Sequence, residues 1–516
     1  MTRQKSIFSC KPLEQIRRDS ASGELVRALG PVHLLLLGIG SIIGSGIYVL
    51  SGTAAANFAG PAIIVSFVVA ALACVFAGLC YAELASTMPV TGSAYTYAYS
   101  TLGELPAWVL GWLLILEYGI AGATVSVGFS GYLVSLLGEF GLSIPAVIAT
   151  PLVQSVQGNG GYTFIAGSSV NLIASAAVAV MVVPLIFGLR GAAGINSAIV
   201  MLKVTVLLVF VAFGVSAVVP ANYQPFIPPN EGGFAYGWQG IFRAASLIFF
   251  AYIGFEAVST AAAEARNPQR DMPIGILGSL AVCTALYIAV AWVMVGVVPF
   301  RELGVTDPLA LAVDRIGKPA LLMFVKVGAV VGLTSIILST AYGQSRIFYA
   351  MARDGLLPQI FCKLHPRFQT PWLGTIAVGA GMALIAGLLP ITLLGDLISL
   401  GTAISFAIVC FSVIWLRNHQ PEMERPFRVP GGAIRVRGWW IGIVPALGIF
   451  MCLVMVAPLV IDIAARAYEG ELLPAGLLGG YIACGAAVYA LYGYRHSRVG
   501  RGLSPVPGTA APLADQ

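Results

Sequence analysis

Apolar runs of about 18–28 residues recur along nearly the whole chain, divided by short polar stretches. They fall near residues 31–52, 61–88, 104–134, 168–188, 195–219, 237–263, 273–298, 320–350, 372–389, 391–416, 440–463 and 472–494. About 20 apolar residues in a helix cross the hydrocarbon core of a bilayer. The pattern therefore predicts an all-α integral membrane protein with about twelve transmembrane helices. One connection, residues 139–167, is long and nearly uncharged, and predicts an outer surface segment carrying a short interfacial helix.

Two of the runs are interrupted by glycine in a matching way. The first span contains Gly38-Ile39-Gly40-Ser41-Ile42-Ile43-Gly44-Ser45-Gly46-Ile47, and the sixth contains Phe249-Phe250-Ala251-Tyr252-Ile253-Gly254-Phe255-Glu256. Backbone left unpaired at membrane depth is tolerated only where protein or a water-filled cavity surrounds it. Two broken helices at corresponding places in two halves predict a secondary transporter with its substrate site near the midplane. Unwinding at Gly40, Ser41, Gly44, Ser45 and Gly46 would aim N–H groups and a helix dipole at an anion such as a carboxylate. Freed carbonyls near Phe250, Ala251 and Ile253 would accept from an ammonium group. The competing reading is close packing of intact helices through small residues.

The halves are spans one to five (31–219) and six to ten (237–416), each with an odd span count. The second therefore starts from the opposite side, as an inverted repeat requires. Spans eleven and twelve (440–494) are additions. Residues 1–30 form a polar tail, 31–496 the transmembrane domain, and 497–516 a second tail rich in Pro, Ala and Gly that is expected to be disordered.

Composition agrees: 58% of the 516 residues are hydrophobic and only 10% charged, against roughly 25% charged in a soluble domain. The net charge of +6 is no nucleic-acid signal, because its basic residues sit in short loops and tails. Six lie before residue 30. Arg190, Arg266 and Arg270, four residues between Arg346 and Arg367, five between Arg417 and Arg437, and Arg495, Arg498 and Arg501 bring one side to 21 of the 28. Arg243, Arg301, Arg315, Lys318 and Arg466 fall on the other side, and Lys203 and Lys326 inside spans. The asymmetry places both termini in the cytoplasm of a multi-pass protein of the cell (inner) membrane. No signal peptide is evident. None of the eight cysteines lies in an outer loop, so no structural disulfide is expected.

Each charge inside the membrane costs roughly 2.5–3.5 kcal/mol on insertion scales and needs a reason. Glu117 in span three and Lys203 in span five lie at comparable depth, where they could pair or alternate in holding a proton. Glu117 could equally line the cavity and select cationic side chains, and Lys203 could snorkel to the surface. Glu256, two residues past Gly254, is placed either to gate or to bond the unwound backbone. Tyr252, Phe250 and Phe255 offer rings to cover a substrate. Lys326 is expected to snorkel outward, and Glu83 and Arg346 to make contacts at inner ends. The four histidines cluster with no acids at depth and no P-loop occurs. No metal site, cofactor, enzyme activity or ATP-driven pumping is expected.

The first-span glycine motif resembles that of the amino acid–polyamine–organocation transporters. So do the run FFAYIGFEAVSTAAAEARNPQRD (Phe249 to Asp271), GQSRIFYAMARDGLLP (Gly343 to Pro358) and ERPFRVP (Glu424 to Pro430). They are most similar to the bacterial cationic amino acid transporter branch. The resemblance implies a leucine-transporter-type 5+5 inverted repeat with two extra helices, and amino acid uptake or exchange, usually proton-coupled. By position it implies that Ile43, Gly44, Ser45 and Gly46 hold the substrate carboxylate and that Phe250, Ala251 and Ile253 hold its amine. Lys203 would stand where sodium sits in sodium-coupled relatives, and Glu117 would be the acid of the cationic branch. Glu256 replaces that branch's usual Asp, and Ala263 stands where the family motif usually has a second acid beside Glu264. The partners so implied are an amino acid, cationic or small and neutral, protons as the coupling ion, and the lipid bilayer. A small membrane accessory subunit would leave no trace in the pattern. An obligate exchanger and an amino acid-sensing receptor on the same scaffold are the alternatives.

Overall fold

The computed structural model describes residues 10–11, 29–88, 93–158, 161–188, 192–498 and 501. Most of the N-terminal tail, Arg190 and the C-terminal tail lie outside the described residues. Within them the chain is overwhelmingly helical. The helices that place the site are α1 (Pro31–Ile42), α2 (Ile63–Thr87), α3 (Ser93–Thr101), α4 (Glu104–Leu114), α5 (Ala121–Glu139), α6 (Leu172–Phe187), α7 (Ala192–Gly214), α8 (Gly237–Ile248), α9 (Pro268–Val297), α10 (Pro319–Arg353), α11 (Trp372–Leu388), α12 (Ile391–His419), α13 (Ile443–Tyr468) and α14 (Leu473–Val488). A π-helical stretch, Ile115–Ile120, joins α4 to α5 as one long rod.

Nine helical segments among the described residues are long and apolar enough to cross a membrane, and three shorter apolar helices are α1, α6 and α11. One of the three shorter helices, α1, has a clear physical cause. The first predicted span is split at Ile43–Ser45, so its first part, α1, has 12 residues. Its remainder runs on into α2 as a 42-residue helical stretch, Gly46–Thr87. That is twice what one crossing needs. The stretch reverses at Gly60, whose φ of +59° suits glycine and is followed by Pro61.

Two small antiparallel hairpins were not anticipated. The 139–167 connection carries the short helix Ala146–Ala149 and also β1 (Val153–Gly158) paired with β2 (Gly161–Ala166). The segment before α13 forms β3 (Ala433–Val436) paired with β4 (Trp439–Gly442). The core is one continuous apolar body. Its most extensive contacts are α9 with α1 and α2, α12 with α13, α10 with α5, and α11 with α6. Small residues set these distances. A methyl group on Gly40 would lie 2.4 Å from Val200, and one on Gly328 would lie 2.3 Å from Val206.

Candidate functional site

Both glycine motifs are real breaks, and they cross. After α1, Ile43 turns extended (φ −72°, ψ 100°) and helical geometry resumes at Gly46. After α8, a 3-10 turn over Phe249–Tyr252 ends at Ile253, and Gly254 takes φ +124°. Gly254 sits against the first break. A Cβ there would lie 2.5 Å from the carbonyl carbon of Ser41 and 2.8 Å from the nitrogen of Ile42. Reciprocally, a Cβ on Gly46 would lie 2.4 Å from the Cα of Ala251. Each break brings a glycine to where the other's backbone passes, which decides against the intact-helix reading.

Breaking α1 frees the carbonyls of Gly40 and Ile42 from their i+4 partners. The Lys203 ammonium donates to the Gly40 carbonyl at 2.9 Å, and the Tyr287 hydroxyl donates to that of Ile42 at 2.8 Å. On the opposite side of the break, the N–H groups of Gly44 and Ser45 donate to no backbone or side-chain acceptor among the described residues. The Ser45 hydroxyl is buried with no hydrogen-bond partner. Two of the freed acceptors are thus occupied by protein while the donors at Gly44 and Ser45 stay open, and open donors are what an incoming anion needs.

A cavity of about 70 Å³ lies at the crossing. On that measure one water needs about 10–15 Å³, so there is room for a few water-sized groups, the scale of a small zwitterion. Gly44, Ser45, Gly46, Phe250, Ile253, Glu117 and Glu256 all line it, as do Tyr118, Val125, Ile336 and Thr340. Ile43, Ala251 and Lys203 stand behind the wall. The stem of Lys203 passes Gly332 on α10, where a Cβ would come within 3.1 Å of it.

Several expectations need correction. Lys203 is wholly buried and touches a carbonyl, so it neither snorkels nor pairs with Glu117. The neighbour of Glu117 is Glu256, and no hydrogen bond of good geometry reaches either Glu117 oxygen. Glu256 accepts the Gly254 N–H through one oxygen at 2.8 Å, the backbone-bonding reading, and leaves its other oxygen without a hydrogen-bond partner. Tyr252 is absent from the cavity wall. Its hydroxyl donates to the Phe67 carbonyl at 3.1 Å and its ring packs on Phe67 and Tyr287, so it cannot cover a ligand in this arrangement. Lys326 does not snorkel freely but donates to Glu139 at 2.6 Å. Glu83 accepts from Arg417 and from the N–H of Val429, tying α2 to the end of α12 and to the segment before α13.

The largest omission is Arg243, counted above only as one of five basic residues on the side away from the termini. It lies within α8, fully buried, and its guanidinium bonds both oxygens of Asp396 on α12, at 2.9 and 2.7 Å. It also reaches Asp462 on α13 at 3.0 Å. Tyr162 on β2 donates to Asp396 at 2.5 Å, and Arg466 bonds Asp462 at 3.0 Å. The signal was available, since Asp396 and Asp462 are charges inside apolar runs. Among the described residues no group of three or more His, Cys, Asp or Glu side chains converges as metal ligands.

Comparison with known proteins adds to this geometry. A family model described as amino acid permease matches residues 29–477. The chain belongs to the amino acid permease family. This permease is 41% identical to the branched-chain amino acid permease BcaP of Bacillus subtilis (strain 168), over 96% of this chain and 99% of that one. It is 40% identical to the methylthioribose transporter of the same organism, over 95% and 99%. It is 37% identical to the chloroplastic cationic amino acid transporter 9 of Arabidopsis thaliana, over 80% and 71%. Members of the permease family are membrane transporters and not enzymes.

Proposed function

We propose that this permease is a secondary active transporter that takes up cationic or small neutral amino acids with protons, by alternating access around the crossing of the two breaks. The observation that carries it is the cavity walled by open donors at Gly44 and Ser45 on one side and by Phe250 and Ile253 on the other. The donors suit the substrate carboxylate, and the carbonyls of the second break suit its ammonium. Ile336, Val125 and Phe250 give the side chain an apolar wall, while Glu117 and Glu256 add carboxyl groups at its edge. Relatives named for branched-chain and for cationic amino acids both fit so mixed a wall, and methylthioribose belongs in any substrate screen.

Lys203 holds the first break closed through the Gly40 carbonyl. A neutral lysine amine would keep one fewer N–H and no charge there, so its protonation is tied to the shape of the site. The nine long segments and three shorter apolar helices are read as twelve crossings. These comprise the 5+5 inverted repeat (31–219 and 237–416) and two additional helices, in the cell membrane with both termini inside.

The test is uptake of labelled amino acids into proteoliposomes. An inward proton gradient is expected to drive accumulation, and Lys203→Ala is expected to abolish the pH dependence. Uptake indifferent to both would overturn the proton mechanism, and uptake only against preloaded substrate would indicate exchange.

A further inference from the structure

The β3–β4 hairpin is the feature that transport leaves unused. Its strands are joined by Arg437-Gly438, both with positive φ (51° and 86°). Two-residue turns of this kind favour Asn-Gly or Gly-Gly. An arginine there departs from turn chemistry, and such outliers point to a use. The ladder is rigidly docked. Asn418, at the end of α12, exchanges two hydrogen bonds with the backbone of Trp440, at 2.8 and 2.9 Å, and the guanidinium of Arg417 lies 4.2 Å from the Trp440 ring centre.

The register places Ile434 opposite Ile441 and Val436 opposite Trp439 on one face, and Arg435 opposite Trp440 on the other. The apolar face is bare: Ile434 is 62% exposed, Val436 49% and Trp439 42%. Two lines of residues set its level. Phe411, Trp415 and His419 stack down one face of α12 and end against Trp439. Phe411, well inside the apolar part of that helix, is itself exposed, so this face looks at lipid. On α13, exposed Ile443, Leu447, Phe450 and Leu453 form a second stripe that begins one residue after the hairpin. The bare face of the hairpin is thus the continuation of two lipid-facing surfaces where they leave the bilayer. That is the level where tryptophans gather. Arg435 and Arg437 are exposed and have no ion pair among the described residues.

We propose that this hairpin is a binding site for anionic phospholipid. Its Ile434, Val436, Trp439 and Ile441 face rests at the acyl–glycerol boundary, and Arg435 and Arg437 rise to the phosphates and select a lipid of net negative charge. Basic residues at this height gain from an anionic leaflet, and a planar guanidinium suits a phosphate. Nothing in the proposal depends on the transport cycle or on which leaflet is cytoplasmic.

The experiment uses the full chain in phosphatidylcholine nanodiscs doped with a minor fraction of brominated phosphatidylglycerol or, in parallel, brominated phosphatidylcholine. The quenching attributable to Trp439 is the difference between the wild type and Trp439→Phe. It is expected to be greater with the anionic lipid and to weaken as salt rises. The preference should fall about 5-fold per arginine in R435Q/R437Q, and R435K/R437K should retain most of it while reporting a folded hairpin. Equal quenching by both lipids, unchanged in R435Q/R437Q, would show apolar contact without charge selection and overturn the proposal. No Trp439-dependent quenching by either lipid would overturn it as well, since the face would then meet water or another protein.

Discussion

Gly254 carries two constraints in one residue. Its φ of +124° is denied to residues with a side chain, and its missing Cβ is the space into which the backbone of Ser41 and Ile42 fits. Gly254→Ala is therefore expected to destabilise by at least about 1–3 kcal/mol from strain alone and to abolish uptake, because any relief must part the two breaks. A melting curve and a binding isotherm check the two effects. Retained affinity with lowered stability would show that the site tolerates separation. Glu256 shows how far residue identity can be read without a structure. Both a gate and a backbone bond were compatible with a carboxyl group two residues past the glycine. The fold gives one oxygen to the Gly254 N–H and turns the carboxyl group toward the cavity and Glu117.

Breaks and spans were legible at the scale of elements because they are local. Apolar run length sets a crossing, and glycine clusters mark where a helix cannot pay for its own continuity. The β1–β2 hairpin was not legible. Its strands carry no strong alternation, and it is held by contacts distant in sequence. The Tyr162 hydroxyl accepts from Arg243 at 3.2 Å and donates to Asp396 at 2.5 Å, and the Phe164 N–H donates to Glu471 at 2.5 Å. The hairpin thus straps α8 to α12 and α13. Tyr162→Phe removes one hydroxyl that both donates and accepts there. It is expected to cost on the order of 1 kcal/mol and to raise hydrogen exchange across Val153–Ala166 more than elsewhere. Uniform protection along the chain would mean that the hairpin is held by its ladder alone.

For the whole molecule, the buried cluster of Arg243, Asp396, Asp462 and Arg466 ties α8 and α12 to α13. Breaking a buried pair by removing one partner costs about 3–5 kcal/mol, since the other charge is left uncompensated. Arg243→Ala should therefore destabilise far more than a double change of Arg243 to Met and Asp396 to Leu, a comparison read by thermal melting in detergent. Equal losses would mean that packing, not charge, matters at this point. The sequence by itself determined that the chain lives in a bilayer, where two helices must fail and that a charge inside an apolar run needs a partner. These follow from the local cost of unpaired backbone and of charge in hydrocarbon. Only the tertiary structure decided who meets whom: Lys203 with a carbonyl and not an acid, Glu117 beside Glu256, Arg243 between two aspartates, Tyr252 turned away from the cavity. Partner choice at depth is set by helix packing between residues up to hundreds of positions apart, and a linear pattern carries the need for a partner without its address.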